Sequence, residues 1–262
     1  MTEIMKILVC VKQVPERESH FRLDASGKGY SDQGINFVLN PYDEYALEEA
    51  LLIKDKLPET EITALSLGPA RIEKTVRRAL ELGADCGACI RSPENYYLGP
   101  GETALQIAGF ARERGFNLLL FGIMSEDYMR GQTGPMVAAL LHLPFATTVV
   151  AENISNDLSR ITVERELEAG LREVVELPLP AALTIQSGIN RPRYPRLTDK
   201  LRAREQKLKA ITNLEPLPPG RCAELLRTIF PPPSPAGTFL AGNLEEQAEM
   251  LIRIIRERTD VL

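Results

Sequence analysis

The 262-residue chain has no tryptophan, two histidines, four cysteines and only 6% aromatic residues. These shortages exclude several chemistries. His20 and His142 are far in sequence from the one Cys-x-x-Cys, Cys86-Gly87-Ala88-Cys89, so that pair lacks the further ligands a zinc site needs. Cys86 to Ile90 reads as a strand, which would turn the two thiols to opposite faces. Cys86 and Cys89 are therefore read as structural cysteines in a core strand; the other two cysteines are Cys10 and Cys222. No apolar run approaches the roughly 18–20 residues of a membrane-spanning helix. The first residues run directly into a strand without a signal-peptide layout, so the expectation is a cytoplasmic protein with no membrane insertion. A net charge of −5 gives no reason to expect nucleic-acid binding. No Gly-Lys-Ser/Thr closes a P-loop, and no nucleophile stands beside a base.

What is present is a globular α/β pattern. Hydrophobic residues make up 44% and charged residues 26% of the chain, which suits a full core. Ile4 to Val11 is an apolar, β-branched strand, expected to be first and central. Phe21 to Tyr30 alternates around Ser26-Gly27-Lys28-Gly29 and reads as a hairpin or excursion. Asn40-Pro41 opens a helix to about Lys56, with Asn40 as N-cap and Ala46, Leu47, Ala50, Leu51 and Ile53 on its apolar face. A strand at Ile62 to Leu67, a helix from Ala70 to Leu82 stopped by Gly83, a strand at Cys86 to Ile90 and a helix at Thr103 to Arg114 follow. Phe116 to Leu120 is the next buried strand. This order predicts a doubly wound, mostly parallel sheet. Thr147 to Val150, Arg160 to Arg165 and Glu173 to Leu177 suggest a mixed or antiparallel extension, and Ala182 to Ile185 one more buried strand.

The stretch Phe121 to Gly134 joins strand to helix, where ligands bind in open α/β sheets. Backbone N–H groups of Gly131, Gln132 and Thr133 would converge at a helix N-terminus, a phosphate site. Arg130 would add charge, Thr133 a hydroxyl, and Asp127 a partner for a sugar hydroxyl. An ordinary strand–helix connection is the plainer reading of the same residues.

Arg191 to Lys209 carries eight basic residues against Asp199 and Glu205. It reads as a solvated helix face or, more sharply, as a docking surface for an acidic protein. Without interleaved aromatics it does not read as a nucleic-acid site. Residues 1–210 are expected to form the nucleotide-binding domain. Residues 211–262 would be a proline-rich arm ending in an amphipathic helix at Leu244 to Thr259, with Ala248, Leu251, Ile252 and Ile255 on one face.

Taken together, Ile7 to Pro15, Asn40-Pro41-Tyr42-Asp43-Glu44, Leu67-Gly68-Pro69, Leu82 to Asp85, Gly122 to Gly134 and Asn190 to Lys207 resemble the β subunit of electron-transfer flavoproteins over nearly the whole chain. The resemblance implies an adenine nucleotide α-hydrolase-like fold and a heterodimer with a longer α subunit that holds the redox-active FAD. It implies electron transfer from acyl-CoA or other dehydrogenases to a quinone oxidoreductase or other acceptor, by a carrier and not an enzyme. It implies an AMP held by the β subunit at Cys10, Asn40, Pro41, Tyr42, Asp43 and Leu67, and along the loop through Gly122, Ile123, Ser125, Asp127, Arg130, Gly131, Gln132 and Thr133. The family's partner-recognition loop maps to Arg193-Tyr194-Pro195-Arg196-Leu197, with Leu197 as anchor and Tyr194 beside it.

Bifurcating members place a second FAD in the β site and oxidise NADH there. The loop of this chain matches neither subtype fully. Gln132-Thr133-Gly134 follows the AMP-binding pattern, but Gly131 replaces its Asn, and Met129-Arg130 departs from the bifurcating pattern. AMP, a second FAD and an altered site stay open, as does a stand-alone adenine-nucleotide-binding module. A hydrolase of the nucleotide lacks candidate catalytic residues.

Overall fold

The computed structural model describes residues 4–93, 97–211, 225–232 and 237–259. Cys222 and the stretch Leu214 to Gly220 lie outside them, as does part of Pro231 to Pro235. The chain divides into two units, Met1–Thr228 and Ile229–Leu262.

In the first unit, β1 (Lys6–Cys10) leads into an antiparallel ribbon of β2 (Gln13–Pro15) and β3 (Phe37–Leu39). Between them Leu23 bridges Tyr30 across the Ser-Gly-Lys-Gly turn, the excursion expected from alternation. Then come α1 (Pro41–Lys56), β4 (Glu61–Gly68), a 3-10 turn at Ala70–Ile72, α2 (Glu73–Leu82) and β5 (Cys86–Arg91). They are followed by α3 (Pro100–Ala111), β6 (Leu118–Gly122) and α4 (Thr133–Leu141). The rest is β7 (Phe145–Ile154), β8 (Arg160–Glu166), β9 (Arg172–Pro178), β10 (Ala181–Ile185), α5 (Leu197–Glu205) and β11 (Lys209–Ile211). The second unit contains α6 (Leu244–Arg258), where the Asn243 side chain accepts from Glu246 N–H and the Glu246 carboxylate accepts from Asn243 N–H, a reciprocal cap.

Among the described residues the main sheet runs β11-β5-β4-β1-β6-β10-β7-β8-β9. Pairing is parallel from β11 to β7 and antiparallel from β7 through β9. The molecule is thus a doubly wound α/β fold with an antiparallel extension. A long β7 serves both halves. Thr148 has φ 57°, the register against β10 slips there, and the register against β8 slips between Val149 and Ala151, irregularities that let the strand leave β10 and run on beside β8.

The strands of the parallel half are apolar because both faces are covered. Along β1, Ile7 and Val9 join the cluster that includes Ala46, Leu47 and Ala50 of α1 and Leu80 of α2. Leu8 and Cys10 join the opposite cluster with Ala104 and Ile107 of α3 and Val137 of α4. β6 repeats the alternation, Leu118 and Leu120 against Leu119 and Phe121. Each such fully buried Leu or Ile contributes about 1.5–3 kcal/mol by leaving water. The α1 positions predicted as apolar are all buried. In β5 Cys86 is exposed and Cys89 buried, as opposite-facing thiols require.

Strand order reverses between β1 and β6: β4 and β5 lie on one side of β1, β6 and β10 on the other. The carboxyl ends of β1 and β6 therefore border the crevice where doubly wound sheets bind ligands.

Candidate functional site: the cleft at the strand switch

A cleft of about 1230 Å³ opens over those strand ends. It is somewhat larger than ordinary small-molecule sites, which hold roughly 300–1,000 Å³. Leu67, Ile107 and Phe121 give it apolar walls, and the β6–α4 loop borders it along its length.

The loop is fastened to the start of α1. The Asn40 side chain does not cap the helix. Its Nδ2 donates to Met124 O (2.9 Å) and its Oδ1 accepts from Glu126 N–H (3.1 Å). Asp43 is buried, with Oδ2 accepting from Lys12 N–H (2.7 Å) and Oδ1 from Gly122 N–H (3.1 Å). One carboxylate thereby joins the ends of β1 and β6. Close approach explains Gly122: a Cβ there would stand 2.4 Å from Asp43 Oδ1 and 2.6 Å from the Tyr42 carbonyl carbon. Burial pushes the Asp43 carboxyl up to about 7, against the Lys12 and Gly122 amides that favour its charged form. Burial, and then Asp43, push the Cys10 thiol well up. It stays protonated at neutral pH and is no nucleophile.

Beyond Ser125 the loop is polar. Lys12 Nζ lies 2.7 Å from both Asp127 carboxylate oxygens and 3.2 Å from Ser125 Oγ, over the Tyr128 ring. Arg17 pairs with Glu126. Arg130 donates to Tyr97 Oη (2.6 Å) and sits 5.2 Å from the Tyr128 ring centre. Met129 (φ 51°) and Gly131 (φ 60°) turn the chain into α4. The Gln132 side chain at the N-cap position makes no capping bond, which leaves first-turn N–H groups and the Thr133 hydroxyl to serve an anion.

The residues proposed from sequence divide accordingly. Cys10, Asn40, Asp43, Leu67, Gly122, Ile123, Ser125, Asp127, Arg130, Gly131, Gln132 and Thr133 all line the cleft. Pro41 and Tyr42 do not. Asn40 and Asp43 border it while their polar atoms hold backbone. Lys12, Tyr97 and Tyr128 line it as well, and sequence reasoning missed them. For Lys12 the signal was its place two residues beyond the switch-point strand. Tyr97 had none, because only the fold brings it to the loop.

The basic stretch is not one solvated helix. Arg193 turns inward onto Glu48 and Asp55, Arg202 donates to Ala84 O, and Lys209 enters β11 beside β5. What remains outward is an apolar group, Tyr194 at 92% exposure with Leu197 and Leu201, among exposed Arg191, Arg196, Lys200 and Arg204. Among the described residues no helix is long and apolar enough to cross a membrane.

Comparison with known proteins gives one answer. A family profile described as "Electron transfer flavoprotein domain" matches residues 28–216. A Bacillus subtilis (strain 168) protein named electron transfer flavoprotein subunit beta is 30% identical over 98% of this chain and 100% of its own length. Proteins of the same name from Methylophilus methylotrophus (29% identical; 97% of this chain, 98% of theirs) and Sus scrofa (34%; 79% and 81%) are also similar.

Proposed function

The chain belongs to the electron transfer flavoprotein family, on its β-subunit side, and on that premise we propose that it holds AMP in the β1/β6 cleft and docks electron donors for an α-subunit partner. The α subunit's FAD would supply the one-electron chemistry; this chain supplies binding and orientation. It acts as a carrier subunit, receiving a dehydrogenase and serving a quinone oxidoreductase or other acceptor.

The observation that carries the nucleotide reading is the uncapped start of α4 at the strand switch. A phosphate there would accept from the Gln132-Thr133-Gly134 turn and the Thr133 hydroxyl, with the base against Leu67 and Ile107. Lys12 and Asp127 already satisfy each other, so the ribose side would be held by an ion pair of zero net charge. A second reading, FAD in the same cleft, is favoured by its size and by Arg130, whose guanidinium suits a second phosphate.

Docking rests on Leu197 and Tyr194. An apolar side chain at 73% exposure, ringed by arginine and lysine, fits an apolar socket with an acidic rim.

The test is to co-express the chain with its α subunit, denature the complex and quantify released nucleotides. One FAD and one AMP per heterodimer is the expected result. Two FAD and no AMP would establish the second reading, and a monomer that retains adenylate without an α subunit would make the chain a stand-alone module.

A further inference from the structure

The segment between β10 and α5 has no regular secondary structure from Ile189 to Arg196, yet it is held firmly. Asn190 Nδ2 donates to Glu49 Oε2 (2.8 Å) and Tyr45 O (3.0 Å). Arg193 donates its backbone N–H to Glu48 Oε2 (3.0 Å) and its Nε to both Glu48 oxygens (3.0 Å), while Nη2 reaches Asp55 at 2.8 Å. Glu48 and Glu49 are each only 5% exposed. Two adjacent carboxylates buried on a helix require partners, and both find them on this segment.

The far side is held as well. Ala203 of α5 is 1% exposed, its carbonyl accepts from Arg77 Nη1 (2.8 Å), and Arg202 Nη2 donates to Ala84 O (3.0 Å). Side chains that point inward, Asn190 and Arg193 before and Ala203 after, thus bracket the outward Tyr194 and Leu197. Pro192 and Pro195 stiffen the backbone between them.

From this arrangement we infer that Glu48 and Glu49 of α1 are positioning residues for partner docking: they clamp Asn190 and Arg193 so that Tyr194 and Leu197 are presented in one preformed geometry. The inference rests on the docking reading of Leu197. A clamped segment binds without first being ordered, whereas an unclamped one binds only from the fraction of time it is correctly shaped. If release of the clamp lowers that fraction to about one tenth, the apparent affinity falls about tenfold. The electron-transfer step, which occurs after docking, is unchanged.

The experiment uses the full heterodimer as electron acceptor for an octanoyl-CoA-reduced acyl-CoA dehydrogenase, with Glu48→Gln, Arg193→Lys and Leu197→Ala. Arg193→Lys keeps the charge without the planar fork and serves if Glu48→Gln does not fold. Two quantities are read: amide hydrogen exchange across 189–197, and the dehydrogenase's KM and kcat for the heterodimer. The clamp variants are expected to speed exchange and raise KM about tenfold at unchanged kcat. Leu197→Ala is expected to raise KM without altering exchange. Unchanged exchange in the clamp variants overturns the clamp. Faster exchange with unchanged KM, while Leu197→Ala still raises KM, overturns the positioning role. An unchanged KM in Leu197→Ala overturns the docking reading itself.

Discussion

The substitution Asp43→Asn should change the pH dependence of stability and not merely its level. The wild-type carboxyl is displaced from 3.8 to about 7 by burial. Between about pH 4 and pH 7 the folded chain therefore keeps a proton that the unfolded chain has released. Native protein binds more protons, so stability falls as pH rises through this window. A displacement of about three pH units corresponds to about 4 kcal/mol. The introduced amide cannot ionise, but it sets an NH2 group against either the Lys12 or the Gly122 N–H. Losing one buried acceptor should make the variant less stable by about 1–3 kcal/mol near pH 4. By pH 8 the wild type has lost about 4 kcal/mol that the variant has not, so the order should reverse. Glu49, pushed up to about 7 by burial, with Glu152 also raising it and Asn190 opposing, tilts both curves the same way and cancels in the difference. Urea unfolding of both proteins from pH 4 to pH 8, followed by circular dichroism, measures that difference. Parallel curves would mean that the two backbone amides outweigh burial and keep Asp43 charged throughout.

Two further substitutions address the cleft. Gly122→Ala would force a methyl group to within 2.4 Å of Asp43 Oδ1, costing about 1–3 kcal/mol by overpacking and loosening the loop; thermal melting and nucleotide content read the two effects, and an unchanged melting temperature would refute the close approach. If AMP is held as proposed, Thr133→Val would remove one hydrogen bond to a charged phosphate, worth about 1.5–3 kcal/mol, so roughly ten- to a hundred-fold weaker AMP retention is expected in equilibrium dialysis, and unaltered retention would move the phosphate elsewhere.

Where the chain is buried on both sides, its sequence is readable. The run Ile7 to Val9 and the Asn40-Pro41 start of α1 announce themselves because parallel strands are apolar throughout and proline suits a first helical turn. Gly83, at φ 133°, ends α2 where expected. The extension is less legible: patterning predicts a four-residue strand at Thr147 to Val150, whereas β7 runs on to Ile154 through Glu152 and Asn153, polar residues that a ladder tolerates but apolar patterning ignores. Side-chain destinations are least legible. Asn40 in the N-cap position implies a capping bond, but its Oδ1 accepts instead from the loop backbone N–H of Glu126, 86 residues away. Arg193 reads as surface charge because its partner, Glu48, lies 145 residues earlier. Such pairings are set by tertiary approach, which local composition does not encode.

The helix α1 is also a spacer of fixed length. Its N-terminus carries Asn40 and Asp43 beneath the β6–α4 loop, and further turns carry Glu48, Glu49 and Asp55 beneath the segment that presents Leu197. At about 1.5 Å and 100° per residue, Asp43 and Glu48 are separated by about 7.5 Å of rise and a defined rotation. Adding or removing one residue between them would swing every later carboxylate about 100° around the axis and leave Asn190 and Arg193 facing the wrong groups, even with each side chain retained. The length of this helix is thus as much a constraint on the protein as the identity of any residue in it.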